Sequence, residues 1–275
     1  MPIVSFWSTV ESTQTATTST IAAVACAMAS KKNYKILLVQ THYQNMDLET
    51  SFFNMDKLGS KGTLDIADTG VDALDRLLRS NKLTPENIAN YAKPILKGKL
   101  EILYGSFKND RDSYERVLET MPMLVEQASR FYDLVLVDLS RGYNSAEINQ
   151  ILQQSDLIVL TMSQKMQVLK KIFKDVEGLK VLQEKPLIPV IGKYDRFSKY
   201  TNKNIARNFG YKKPIYTIPY NTQFFDSCNE GKALNFFIEN INADVAMDRN
   251  GYFISETARL SEAILSAIEG KLGQR

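Results

Sequence analysis

A chain of 275 residues that is 44% hydrophobic and 24% charged can bury one large core or two small ones, and its 34 basic against 31 acidic residues leave a net charge of only +3. No run of about 18 apolar residues is present, and the start MPIVSFWSTV lacks the basic and long apolar segments of a signal peptide, so a cytoplasmic location is expected and membrane anchoring is not. Cys26 and Cys228 lie far apart in sequence and His42 is the single histidine, which argues against a disulfide framework, a zinc site or a cluster of imidazoles.

In chain order, β-branched apolar runs alternate with stretches of helical period. Strands are expected at Ile3–Trp7, Lys35–Thr41, Leu100–Tyr104, Leu134–Asp138, Leu157–Met162, Leu187–Ile191 and Tyr216–Pro219. Helices are expected at about Thr17–Lys31, Val71–Ser80, Asp112–Phe131, Ala146–Gln153, Lys165–Gln183, Asn202–Phe209 and Ser255–Glu269. This alternation predicts an α/β class: a doubly wound, mainly parallel twisted sheet with helices on both faces, in one domain over residues 1–275. Ile3–Trp7 and Leu134–Asp138 should be central. Phe52–Thr63, of mixed polar composition, reads as a mobile connection.

Ligands of such a fold sit at the carboxyl ends of the strands, which directs attention to STVESTQTATT (Ser8–Thr18), between the first strand and the first helix. A working phosphate loop reads G-x-x-x-x-G-K-[ST]: glycines let backbone amides curl round phosphate, lysine reaches the β and γ oxygens, and the hydroxyl holds magnesium. Only the last element survives, as Thr17 and Thr18, and hydroxyls at that place also cap a helix with no phosphate present.

Together these residues resemble the ParA/MinD group of deviant phosphate-loop ATPases, whose loop reads KGGxGKTT, and the resemblance runs over nearly the whole chain. Aligning the paired threonines puts Glu11 at the family's signature lysine, Thr15 at its third glycine and Ala16 at the phosphate-gripping lysine. LLVQTHYQNMDLE (Leu37–Glu49) is similar to the second strand and first switch, with Gln40 and His42 where the family has aspartates. YDLVLVDLSRG (Tyr132–Gly142) matches the strand that ends in a magnesium-site acid, here Asp138, with Ser140 and Gly142 opening the second switch. IPYNTQFFDSCNEGKAL (Ile218–Leu234) resembles the loop near the adenine, whereas GKYD, with Gly192 and Lys193, stands where an asparagine often contacts the base. Two readings stay open for several of these: Asp138 as metal-site acid or turn cap, His42 as switch residue or exposed loop residue, and Asn229-Glu230-Gly231 as adenine loop or simple turn.

What the resemblance implies is a nucleotide site of Gln14, Thr15, Ala16, Thr17, Thr18, Asp138, Pro219 and Glu230, with Thr17 and Asp138 toward magnesium. ATP and magnesium should bind weakly, because each lost lysine removes a contact of about 1.5–3 kcal/mol. Hydrolysis should be lost or very weak. Lys165–Lys213 carries thirteen Lys/Arg against four acids, without aromatic interleaving or a recognition helix, and reads either as a solvated face or as a non-specific DNA contact. The expected function is a dimeric positioning or assembly factor with a protein partner, by analogy of the TadZ/CpaE pilus-assembly type. The alternatives are an active partitioning ATPase, its missing lysines supplied by Lys31, Lys32 or a partner subunit, and a plain DNA-binding accessory protein.

Overall fold

The computed structural model describes residues 1–11, 13–54, 69–142 and 145–272. Eight strands form one sheet: β1 (Ile3–Trp7), β2 (Ile36–Gln40), β3 (Lys93–Leu96), β4 (Leu100–Ile102), β5 (Leu134–Asp138), β6 (Leu157–Met162), β7 (Leu187–Tyr194) and β8 (Tyr216–Pro219). Their order is β3-β4-β2-β5-β1-β6-β7-β8. All neighbours run parallel except β3 and β4. The fold is therefore the expected doubly wound α/β architecture, with β1 and β5 central.

Why the strands read as continuous apolar runs is visible in where their side chains go. Val4 and Phe6 of β1, Ile36 and Leu38 of β2, and Leu134 and Leu136 of β5 enter one core; Ile3, Trp7, Leu37, Val39, Val135 and Val137 enter the other. Both faces are covered, so neither parity can be polar. The first face carries α1 (Thr17–Lys31), α2 (Asp47–Thr50), α10 (Thr222–Asn229), α11 (Ala233–Glu239) and α12 (Arg249–Ile268). The second carries α3 (Gly70–Arg79), α4 (Arg111–Leu118), α5 (Met121–Ser129), α6 (Ala146–Gln154), α7 (Met166–Gly178), α8 (Lys180–Glu184) and α9 (Asn202–Asn208). The alanine-rich α1 is buried nearly all round because it lies between the sheet and α11 and α12, and the rings of Phe224, Phe236, Phe237 and Phe253 lock α10–α12 together behind it.

All seven expected strands are present. The edge strand β3 was not expected, since its four residues include Pro94 and are not fully buried. The helix expected over Asp112–Phe131 is two, broken before Pro122, and that over Lys165–Gln183 breaks after Gly178, where Leu179 is extended. The last helix begins at Arg249, capped by the Asp248 carboxylate on Asn250 N. Of the connection expected at Phe52–Thr63, Phe52 is buried and residues 55–63 lie outside the described residues.

Candidate functional site

The carboxyl end of β1 is fixed by Trp7, whose indole N–H donates to Gly142 O at 3.2 Å, while Gly142 N donates to Ser8 O at 3.1 Å. These two bonds tie the first loop to the turn after β5. The chain then makes a single 3-10 turn at Thr13–Thr15, and Ala16, with φ 56° and ψ 39°, precedes α1 in the left-handed region. A non-glycine residue there costs about 1–2 kcal/mol. Ala16, at the N-cap position, offers α1 no side-chain cap. Thr17 turns its hydroxyl inward, 2.7 Å from Thr161 Oγ1, which in turn donates to Trp7 O. Thr15 is fully buried and its carbonyl lies against β7: a Cβ on Gly192 would come within 2.4 Å of Thr15 O and 2.8 Å of Ala16 Cβ. Gly192 is thus the space into which the loop packs.

Asp138 ends β5 with its side chain wholly buried, opposite Gln40 in the register of β2. Gln40 uses both ends of its amide: Oε1 accepts from His42 N at 2.6 Å, and Nε2 donates to Asn45 O at 3.0 Å and Glu49 Oε1 at 3.1 Å. A carboxylate could make only the first of these bonds and would add charge beside Glu49. Thr41 N donates to Asp138 O, and Thr41 Oγ1 accepts from Ser140 N at 2.9 Å. This lattice brings His42 Nε2 to 3.2 Å from Asp138 Oδ1, an ion-pair contact outside hydrogen-bond alignment. Burial on its own would lower the His42 pKa, but the Asp138 charge outweighs it and holds the imidazole above its ordinary value. Glu49, whose Oε1 also accepts from Gly105 N at 2.7 Å, is pushed by burial up to about 7.

A cleft of about 260 Å³ is lined by Ala16, Thr17, Thr18 and Ser19 of the first loop and helix, by Asp47, Thr50 and Ser51, by Arg141, and by Lys193, Phe225, Cys228 and Asn229. Of the residues expected at a nucleotide site, Ala16, Thr17 and Thr18 line it. Gln14 is exposed and does not line it, Thr15 is buried and does not line it, and neither does Asp138, which is buried in contact with His42. Pro219 borders a neighbouring groove with Tyr194 and Tyr220, and Glu230 is exposed and paired with Lys232 at 2.7 Å. Among the described residues no group of three or more His, Cys, Asp or Glu is placed to hold a metal ion, and no helix is long and apolar enough to cross a membrane.

No protein-family model and no curated protein matches the sequence. Solved structures do match. A ParA family ATPase from Chlorobium tepidum superposes with a TM-score of 0.67 at 16% identity, over 94% of this chain and 97% of that one. The septum site-determining protein MinD of Pyrococcus horikoshii, complexed with Mg-ADP, gives 0.67 at 16% identity over 99% of both chains. A MinC:MinD cell division protein complex from Aquifex aeolicus gives 0.62 at 15% identity over 96% of each. The fold is that of the ParA/MinD ATPases.

Within the ParA/MinD fold, three expectations need correction. Lys31 and Lys32 stand at the far end of α1, about 20 Å from its first residue at 1.5 Å per residue, and cannot replace the loop lysines in their own chain. Thr15, expected among the residues of the nucleotide site, is buried under the loop, and among the described residues of that loop Glu11 and Gln14 are exposed. The basic segment does interleave aromatics: Arg196 lies over Phe197, itself 83% exposed, and Lys199 over Tyr200. Asn229, weighed as part of an adenine loop or a simple turn, lines the cleft, while Arg141, Glu49 and Phe225 were missed as site residues although each stands in a quoted motif.

Proposed function

We propose that this chain is a degenerate ParA/MinD-fold protein that has given up ATP turnover and acts as a dimeric positioning or assembly factor, of the pilus-assembly localisation type. The observation that carries the reading is the His42–Asp138 contact. In the family pattern Asp138 faces a magnesium-bound water; here an imidazole is already against it, and the Thr17 hydroxyl is turned to Thr161. These donors do not fit a magnesium ion, because one already has an imidazole nitrogen against it at 3.2 Å and the other is committed to the core. Ala16 at the gripping-lysine position and Glu11 at the signature position remove the charges that stabilise phosphoryl transfer.

A self-associating role suits the loop face on which Glu11 and Gln14 are exposed, and closed two-fold pairing is the commonest outcome for a self-complementary patch. The MinC:MinD complex lends support by analogy to a protein partner. The test is phosphate release from ATP with magnesium: background rates that Asp138→Ala leaves unchanged support the reading, and turnover abolished by that substitution refutes it.

A second reading is favoured by one feature. Arg196–Phe197 and Lys199–Tyr200 present cations and rings together on the Lys165–Lys213 segment, as non-specific nucleic-acid surfaces do. Salt-dependent binding to duplex DNA, lost in Arg196→Ala/Lys199→Ala, would favour this reading.

A further inference from the structure

Large apolar side chains are exposed together beyond the ends of β7 and β8. Phe197 is 83% exposed on the turn after β7, Met247 is 88% exposed on the loop before α12, and Tyr220, just after β8, is 56% exposed. With Val245 and Tyr252 they border a groove of about 610 Å³. Both loops are tied down. Gln164 holds the first: its amide donates to Asp195 O at 3.0 Å and to Tyr200 O at 2.9 Å, and accepts from Asp195 N at 2.8 Å. In the second, the Asp244 carboxylate accepts from Ala246 N at 2.7 Å and Asp248 N donates to Asp244 O at 2.9 Å. That loop lies so close to α12 that a Cβ on Gly251 would come within 2.3 Å of Asp244 O. Asn221 Nδ2 donates to Asn250 Oδ1 at 2.9 Å and Asn250 Nδ2 to Asn240 Oδ1 at 2.8 Å, which ties the start of α12 to the segments after β8 and α11. Apolar residues of such exposure, presented from bonded loops around a polar-rimmed groove, mark a contact surface.

The charges on the groove say what it complements. Its two acids serve the backbone, Asp195 accepting from Phe197 N at 2.9 Å and Asp248 from Asn250 N at 2.8 Å. Its two guanidinium groups have no carboxylate partner among the described residues. Arg196 lies over the Phe197 and Tyr252 rings, 5.1 and 5.0 Å from their centroids, and Arg249 is exposed at the first position of α12. Arg, Met, Phe and Tyr are the residues that the centres of protein interfaces concentrate. We infer that this groove docks a segment of a partner protein that lays apolar or aromatic side chains against Phe197, Tyr220 and Met247 and sets Asp or Glu against Arg196 and Arg249. A nucleic acid is matched less well, because Val245, Ala246 and Met247 form an uncharged wall outside the basic segment, and a lipid surface less well, because the site is concave. The groove gives the proposed assembly role a partner of definite chemistry, and rests on that role only for the partner being a protein.

The experiment is selection of random phage-displayed peptides on the full chain, followed by fluorescence anisotropy of the enriched peptides. Enriched sequences should combine a large apolar residue with Asp or Glu, and their binding should weaken about tenfold or more in Phe197→Ser, in Met247→Ser and in Arg196→Gln/Arg249→Gln. Arg196→Glu/Arg249→Glu should turn the preference to peptides in which Lys replaces the acid. All four positions are exposed, so each variant should keep its fold, which thermal unfolding verifies. No enriched peptide, binding indifferent to Phe197→Ser and Met247→Ser, or enriched peptides without acids would overturn the inference. Duplex DNA or phosphatidylserine vesicles whose binding Met247→Ser weakens equally would assign the groove to nucleic acid or lipid and overturn it too. Peptide binding and phosphate release are read separately, so this inference and the loss of turnover can each fail alone.

Discussion

His42 Nε2 lies 3.2 Å from Asp138 Oδ1, at the carboxyl ends of the adjacent strands β2 and β5, and the carboxylate is wholly buried. Removing either partner leaves the other's polar group without its counterpart. Asp138→Ala or His42→Ala should each destabilise the protein by about 3–5 kcal/mol. The double variant should cost less than the sum by roughly 0.5–3 kcal/mol, the coupling expected of a contacting pair. Urea unfolding followed by the fluorescence of the single, buried Trp7 measures all three, and strict additivity would show that the contact carries no energy.

Stability should fall as pH rises from weakly acidic to neutral. Glu49 is raised from 4.5 to about 7, so the folded protein holds a proton that the unfolded chain releases above 4.5, and the resulting advantage disappears between pH 4.5 and 7. The size is on the order of 3 kcal/mol. His42 is also raised, from 6.5, so the stability it contributes is complete below 6.5 and is lost as pH rises through its folded pKa. Glu49→Gln should flatten the slope below pH 7 and leave the part above it. An unchanged slope in that variant would show that Glu49 is not its source.

Gly192→Ala should destabilise the protein by about 1–3 kcal/mol, because the added methyl meets Thr15 O at 2.4 Å and Ala16 Cβ at 2.8 Å, and neither can yield without moving the loop. Gly98→Ala, where the added methyl meets no atom within 4 Å, is the contrast: any cost there comes from its φ of 73° alone. Denaturant midpoints for the two separate packing from conformational strain.

Fold and site were not equally legible in the sequence. The parallel sheet was readable because strands covered on both faces must be apolar at every position, as in IVSFW and LVLVD, and because α1 has a long alanine-rich body. Four-residue β3 carries too few apolar positions to show a period. At the site, the departures at Ala16 and His42 were readable from the resemblance to the family's loop and switch motifs. Their consequences were not: the contact of His42 with Asp138 depends on Gln40 bonding back to His42 N and out to Glu49, and the burial of Thr15 depends on Gly192 in a strand some 180 residues away.

The proposed dimer makes its own prediction. Gln14 and Glu11 are exposed on the rim of the loop, so Gln14→Arg/Glu11→Arg places two bulky cations at a two-fold contact and should convert dimer to monomer in light scattering, with folding intact. A wild-type monomer at tens of micromolar, or a dimer unmoved by the double variant, would exclude this face.

The central claim, that an imidazole has displaced metal chemistry at Asp138, is tested most directly by the magnesium dependence of stability. A ligand that binds only the folded state stabilises it by RT ln(1 + [L]/Kd), about 2.7 kcal/mol at one hundred times Kd. Urea unfolding in EDTA and in about 10 mM magnesium, at matched ionic strength, should give the same midpoint for the wild type. A magnesium-dependent rise in that midpoint, abolished by Asp138→Asn, would contradict the account.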